Sequence, residues 1–463
     1  MGAARARGAP KVLKTDTRVI VLGGGMAGIG AAHALLEAGC RVEIVERQRE
    51  LGGLAGSFKQ DGAFYPIGYH HILPTDRTLR RFLRLIGAAG DVRWRRVPIL
   101  FELGDHLHDL GSLRGFLGLP LSWRAKAGFI ALMVRAFARG DWSSWEGRPA
   151  VELVDRWAGK EVREEIFEPL ARLKFRCSLS DLSAAWLGAR LHAREGASSL
   201  GYIPGRNWTT VLCDGMTRRL GGLGCVLHRD VSVSRLDIEA HRVRHVRLSD
   251  GRVLDADVVV STLPTVVHSE LIPADATPEM QGIRYTALIS AVCTIRQRVN
   301  PDFYWLNLGG RDHTACAIFQ LSALNPTIGR AGDTCLNFIT HLAVHREPLF
   351  RLPEHELMTL YRQDAQAVLG LDLRPDWVRV SRVAHYSPIF GVDYRNPPVR
   401  SVNLENLYYA GNYRTYPAVA STGTALASGV DAAQAILANL GSERARFGIG
   451  PRPSAKHGSN SDA

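Results

Sequence analysis

Three glycines and one acid carry the clearest chemistry in this chain. An apolar run, Val19 to Leu22, leads into Gly23-x-Gly25-x-x-Gly28, and small helix-forming residues follow up to Gly39. Gly23 permits a tight turn, Gly25 lets backbone approach a pyrophosphate, and Gly28 lets a helix pack on the strand. The N–H groups at the helix start, around Met26 and Ala27, then face the phosphates, where the helix dipole favours negative charge. "CRVEIVE", 40–46, reads as a second strand ending in Glu46, 18 residues after Gly28. An acid at that distance accepts from a ribose 2′-OH, and with no Arg in its place a 2′-phosphate is disfavoured. His70 and His71 are the other titratable candidates. They could act as base or bind an anionic group; the alternative is a packed, hydrogen-bonded pair. Tyr386 and Tyr416, with Tyr413, are either cage residues or core aromatics.

The elements that must position these groups are spread along the chain. After the nucleotide-binding start, 77–200 reads as largely helical, including "LSWRAKAGFIALMVRAFARG" with Arg124, Arg135 and Arg139 between apolar residues. Residues 205–270 are β-rich, with a turn at Asp250-Gly251 and with Val231 near the start of that stretch; 283–345 is strand-like and 354–369 helical. "LYYAGN", 407–412, reads as a buried strand ending in Gly411, and a final small-residue helix follows it. Ser421 or Thr422 would cap this helix, and Gly423 would bring it close to a ligand. The predicted class is α/β: a Rossmann-like domain with a central parallel sheet, discontinuous in sequence, and a substrate domain of mixed sheet plus helices. The expected division is 17–76, 205–270 and 400–440 for nucleotide binding, and 77–204 with 271–399 for substrate. Residues 1–16 and 441–463 are expected to be disordered tails.

The chain has 463 residues and a formal charge of +12, from 57 basic and 45 acidic residues. That length allows two or three domains and a large core. The basic excess would suit anionic lipid or an anionic substrate, but the plainer reading is solvated surface. Nothing resembles a nucleic-acid module, so no nucleic-acid partner is expected. Seven scattered cysteines without a C-x-x-C argue for a reducing compartment and against a metal site. The basic N-terminal stretch has no apolar core of the secretory kind, and no apolar run approaches the roughly 18 residues that span a bilayer.

Beyond Glu46 the sequence continues "ERQRELGGLAGSF". This extension resembles the signature of the FAD-dependent amine oxidase, protoporphyrinogen oxidase and phytoene desaturase superfamily. Two later blocks are similar to that superfamily in the same order: "DGRVLDADVVVSTLP", 250–264, and "NLYYAGNYRTYPAVASTGTALASGVDAAQAI", 406–436. The resemblance implies FAD, held by Gly23, Gly25, Met26, Ala27, Gly28, Glu46, Arg47, Gly52, Gly53, Leu54, Gly68, Tyr69, His70, Val231, Gly411, Asn412, Ser421, Thr422 and Gly423. It also implies that 61–76 lies beside the flavin. No cysteine occurs from Val380 to Leu440, so the cysteine linkage of some relatives is excluded and non-covalent FAD is expected. "AVASTGTALASG" lacks the aromatic ring that amine oxidases place near the start of the last helix, which argues against a simple amine substrate.

The expected function is therefore an FAD-dependent oxidoreductase. It would move a hydride from a largely apolar small molecule to flavin N5 and be reoxidised by oxygen or another external acceptor. The alternative is a redox-neutral flavoenzyme of the UDP-galactopyranose mutase kind. Gly68-Tyr69-His70-His71-Ile72 resembles that family's glycine-histidine stretch, and Arg284, Arg382, Arg395 and Arg414 would clamp a diphosphate. A flavin-binding module without catalysis is a third reading. The expected location is cytoplasmic, and Ser122 to Arg139 is a candidate for peripheral membrane contact. On that helix Trp123, Ile130, Val134 and Phe137 form the apolar side, and the plain alternative is that this side packs on the substrate domain.

Overall fold

The computed structural model describes residues 16–104, 106–109, 112–193, 199–309 and 313–446. Two sheets organise them. In the first, five parallel strands run in the order Leu407–Tyr409, Val258–Ser261, Arg18–Leu22, Arg41–Val45, Val226–His228. After Arg18 the central strand is an unbroken apolar run, Val19 to Leu22, because both of its faces are covered. Val19 and Val21 pack under the helices Met26–Glu37, Trp208–Gly222 and Thr422–Arg446. Ile20 and Leu22 pack on a three-stranded antiparallel sheet through Leu236, Val243 and Val246.

The second sheet has seven strands, in the order Trp377–Pro388, Tyr285–Ile295, Thr334–Leu342, Ala317–Gln320, Trp305–Asn307, Ile99–Leu103, His106–Asp109. Its neighbours are antiparallel except Trp305–Asn307 beside Ile99–Leu103. The helix Glu354–Leu369 covers one face through Leu357, Tyr361 and Ala365. The opposite face carries Leu288, Trp305, Phe319 and Ile339, and it meets Tyr65 and Tyr69 from the nucleotide-binding segment. The α/β class with a parallel and a mixed sheet is thus as expected. The largely helical reading of 77–200 needs correction, because Ile99–Leu103 and His106–Asp109 are strands at the edge of the mixed sheet. The last helix also runs on to Arg446, past the expected boundary at 440. Residues 1–15 and 447–463, where the tails were expected, lie outside the described residues.

The helices Trp123–Ala138, Ala150–Trp157, Glu168–Phe175 and Ala184–His192 share a third core. Trp123–Ala138 enters it through Ala125, Leu132 and Ala136. Its other side stays open, with Trp123 73%, Ile130 50% and Val134 61% exposed. Packing of that apolar side on the substrate domain, the plain alternative above, is not what the fold does; of the four expected residues only Phe137 turns partly inward. Trp142 and Trp145 are buried. Among the described residues no helix is long and apolar enough to cross a membrane.

Two helices of the first core meet backbone to backbone. A Cβ on Gly30 would stand 2.3 Å from the Leu426 carbonyl oxygen, and one on Gly429 would stand 2.0 Å from that of Ala27. Gly429→Ala is therefore expected to force the helices apart and to lower stability in urea by about 1–3 kcal/mol. Gly441 lies in the same helix with open space around it. Gly441→Ala should raise stability by up to about 1 kcal/mol, and equal effects of the two would contradict the contact.

Candidate active site

The glycine turn is built by its neighbours. Gly23 has φ +99°, a conformation that favours glycine, and its N–H donates to the Val45 carbonyl at 2.9 Å. A Cβ there would lie 2.7 Å from Thr262 Oγ1, and that hydroxyl donates to the Leu22 carbonyl. Gly28 is filled from below, with the Gly23 carbonyl oxygen 2.0 Å from where its Cβ would be. Gly25 differs. Its backbone is extended, and the nearest atom to a Cβ is Gly53 Cα at 3.9 Å, so the protein leaves that side open. Met26 and Ala27 begin the helix and are buried.

Glu46 ends its strand as expected and is 8% exposed. One carboxylate oxygen accepts from Gly24 N at 2.7 Å and the other from Gln48 N at 2.9 Å. An ionised carboxylate has about four acceptor positions, so two remain for hydroxyl donors. Val231 N donates to the Glu46 carbonyl, which places Val231 beside it, and Arg47 is exposed next to it. Gly52 bridges to Gly25, and Gly52 N donates to the Gly24 carbonyl at 2.9 Å. Gly53 and Leu54 continue from there. His70 Nε2–H donates to the Leu54 carbonyl at 3.1 Å, and Trp208 Nε1–H donates to the His70 carbonyl. His70 thus ties this loop down, and burial lowers its pKa.

Gly411 turns at φ +152°, and its N–H donates to Ser428 Oγ. Asn412 Nδ2 donates to the Tyr386 carbonyl at 3.0 Å. Ser421 Oγ accepts from Thr424 N, capping the last helix, and Thr422 is its first residue. Gly423 faces the Asp76 carboxylate, where a Cβ would stand 2.0 Å from an oxygen. The glycine turn, Glu46 and the 52–54 loop thus form one cradle, and Gly411 and Asn412 link the last helix to the mixed sheet.

On the sheet side an aromatic wall faces this assembly. After Gly68, Tyr69 stacks on Phe319 at 3.8 Å between centroids, and Trp305 lies 5.1 Å from Phe319. His71 Nδ1 is 3.2 Å from Tyr304 OH. Tyr386 sits 5.5 Å from the His341 ring. His341 is 7% exposed with no hydrogen-bond partner on Nδ1; burial, then the nearby Lys174 and Arg176 charges, push its pKa down to about 3. Tyr416 is not on this wall. Its OH is 2.8 Å from Ser183 Oγ, in the helical core beside Phe390 and Tyr394. Tyr413 is buried under the parallel sheet.

Of the four arginines read as a diphosphate clamp, two are already engaged by backbone carbonyls. Arg382 donates to the Phe350 and Leu352 carbonyls, and Arg414 to those of Pro397 and Tyr409. Arg284 and Arg395 are exposed. Sequence reasoning missed Lys174, Trp305, Phe319 and His341. Only the aromatic density of "FYWLNL" hinted at any of them. Among the described residues no cluster of His, Cys, Asp and Glu could hold a metal.

A parallel sheet opening on a glycine cradle is thus joined to a mixed sheet with an aromatic wall. The profile of the flavin containing amine oxidoreductases matches residues 26–437, and the chain belongs to that family. It is an FAD-dependent oxidoreductase. It is 21% identical to a chloroplastic/chromoplastic 15-cis-phytoene desaturase of Solanum lycopersicum, over 93% of this chain and 79% of the relative. It is 29% identical to the protoporphyrinogen oxidase of Bos taurus, over 60% of this chain and 67% of the relative. The fold is shared with an oxidoreductase from Methanosarcina mazei (TM-score 0.70, 15% identity, 91% of this chain and 100% of that one). It is shared equally with reduced UDP-galactopyranose mutase (TM-score 0.73, 15% identity, 91% and 96%).

The open side of Gly25 generates a prediction. Gly25→Val should fold, with an unchanged far-ultraviolet circular dichroism spectrum, yet purify colourless because its side chain takes the pyrophosphate's place. A yellow Gly25→Val protein with normal flavin content would refute this use of the cradle.

Proposed function

We propose that this chain oxidises a largely apolar small molecule by hydride transfer to non-covalently held FAD, with oxygen or another external acceptor completing the cycle. The observation that carries the reading is the wall of Tyr69, Tyr304, Trp305 and Phe319, joined to the nucleotide-binding segment through Tyr69 and through the Asn412–Tyr386 bond. FAD, when bound, supplies the hydride acceptor. The other functions fall to the chain's own residues. Gly25 and the helix start at Met26 would receive the pyrophosphate, and Glu46 would accept from the ribose. Gly411 and the capped helix start at Ser421 and Thr422 would meet the flavin end, where a helix N-terminus favours negative charge. The aromatic wall excludes water and orients an apolar substrate. His341 on that wall is held neutral, so it adds no charge to the surface that packs on the substrate.

Candidate donors, isoprenoid, tetrapyrrole and bulky amine, are mixed anaerobically with the yellow protein. An apolar donor should bleach the flavin absorbance. If none does and no oxidase turnover appears, the reading fails.

The exposed stripe of Trp123, Ile130 and Val134 gives such a substrate a route from lipid. Arg124 and Arg135 are exposed beside the stripe, and the helix carries no acidic residue, which matches an anionic bilayer surface. The protein should co-sediment with phosphatidylglycerol vesicles at low salt and less at high salt, and Ile130→Glu with Val134→Glu should abolish it. Absence of binding at low salt would reject membrane contact.

A further inference from the structure

The helix Arg77–Leu85 has two unlike faces. Leu79, Phe82, Leu83 and Leu85 pack inward, on the core shared with the first and last helices. Arg77, Arg80, Arg81 and Arg84 are exposed, and their spacing of three and four puts them in one stripe on the other face. Arg93, Arg95 and Arg96 follow, also exposed, on and just after the strand Arg93–Arg95. From 77 to 96 the sequence holds one acid, Asp91. Among the described residues none of these arginines is paired with a carboxylate; Arg80 and Arg93 reach backbone carbonyls. Like charges four apart destabilise a helix, and Arg77 stands at the end where the dipole disfavours a cation. The stripe thus works against the helix that carries it.

The stripe begins beside the start of the last helix. Asp76 caps the arginine helix, accepting from Leu79 N at 2.9 Å, and its carboxylate faces Gly423. Ser421 and Thr422, next to Gly423, are the residues read above as meeting the flavin end. Trp94, 42% exposed among the arginines, closes on Gly201 together with Ile72. The complement of this surface is acidic, and three features select a protein. The helix leaves no large apolar side chain free to enter a bilayer. At a rise of 1.5 Å per residue it is only about 13 Å long, which suits the small interface of an electron-transfer encounter. Arginines around a tryptophan are also the composition that protein interfaces favour.

We propose that Arg77, Arg80, Arg81 and Arg84 dock an acidic one-electron carrier protein that reoxidises the flavin. Each turnover leaves two electrons and one proton to be removed from reduced FAD. Two carrier molecules, docking in turn, take one electron each, and the proton passes to water. This rests on the external-acceptor reading above and names the acceptor's chemistry. The arginines touch neither substrate nor flavin; they raise the rate of encounter and orient the carrier.

The test reduces the FAD-loaded protein photochemically, without substrate, and mixes it anaerobically with one of three oxidants: acidic plastocyanin, basic cytochrome c or uncharged benzoquinone. Plastocyanin should react faster than cytochrome c, and its rate should fall about tenfold between about 0.01 M and about 0.1 M salt as screening tightens. Benzoquinone should ignore salt. Arg77→Gln, Arg80→Gln, Arg81→Gln and Arg84→Gln together should slow plastocyanin about tenfold at low salt and remove its salt dependence. Flavin content and the benzoquinone rate should not change, and four lysines in the same places should keep the plastocyanin rate. Calorimetry of the oxidised protein with oxidised plastocyanin supplies a readout without turnover: binding at low salt, lost with the four glutamines. Equal rates for the two carriers, or a salt dependence that survives the glutamines, would overturn the proposal. So would glutamines that leave plastocyanin unaffected but abolish binding to phosphatidylglycerol vesicles or to a DNA duplex, since the stripe would then serve lipid or nucleic acid. None of these outcomes bears on the substrate, whose reading stands or falls by the bleaching experiment.

Discussion

In the strand Arg18–Leu22 the four residues from Val19 to Leu22 put apolar side chains on both faces, have parallel neighbours on both edges and are closed to water. Its backbone hydrogen bonds must be met by other strands, and parallel neighbours cannot be supplied by a short hairpin. The chain therefore has to leave and return. Arg41–Val45 comes by a crossover through the first helix, and Val226–His228, Val258–Ser261 and Leu407–Tyr409 come from far along the sequence. Each excursion is an opportunity to build something else. The helical core and most of the mixed sheet are inserted in those excursions, so both are hung on the closure of the parallel sheet.

That closure brings the two halves of the site into one frame. The return through Val258–Ser261 sets Thr262 over the glycine turn, and the return through Leu407–Tyr409 delivers Gly411 and Asn412. Where the first and last helices touch, glycines remove the side chains that would hold them apart. The same residue type has opposite meanings a few positions apart: Gly28 is filled by the protein's own backbone, whereas Gly25 is left open.

The cradle was legible in the sequence because its determinants are local. Gly23 to Gly28 and Glu46 lie within two strands and a helix, and the cap at Ser421 needs only Thr424. The helix over 354–369 was legible for the same reason, since its period is written in consecutive residues. The wall was not legible, because strand register brings Leu288 opposite His341 and Trp305 opposite Phe319. Tyr285–Ile295 is buried on both faces, so its sequence shows no alternation that would say which side faces the site. Tyr416, Arg382 and Arg414 were chosen by residue type near a motif, but hydrogen bonds to Ser183 and to backbone carbonyls decide where they point. Lys174 belongs to no motif, and the ring of Trp305 that it stands over lies 131 positions further along.

The order of strands in the parallel sheet also bears on how the chain is made. Leu426 and Gly429, which cover the helix Met26–Glu37, are translated roughly 400 residues after it. At roughly 5–20 residues per second the interval is on the order of tens of seconds. For that time the apolar side of the first helix and one edge of its sheet have no native partner, which is the state that holdase chaperones recognise and that aggregates when they are scarce. Sheets paired across such sequence distances also close slowly once complete. Recovery of this protein in a foreign host will therefore depend on translation speed and chaperone supply, apart from any property of the finished site.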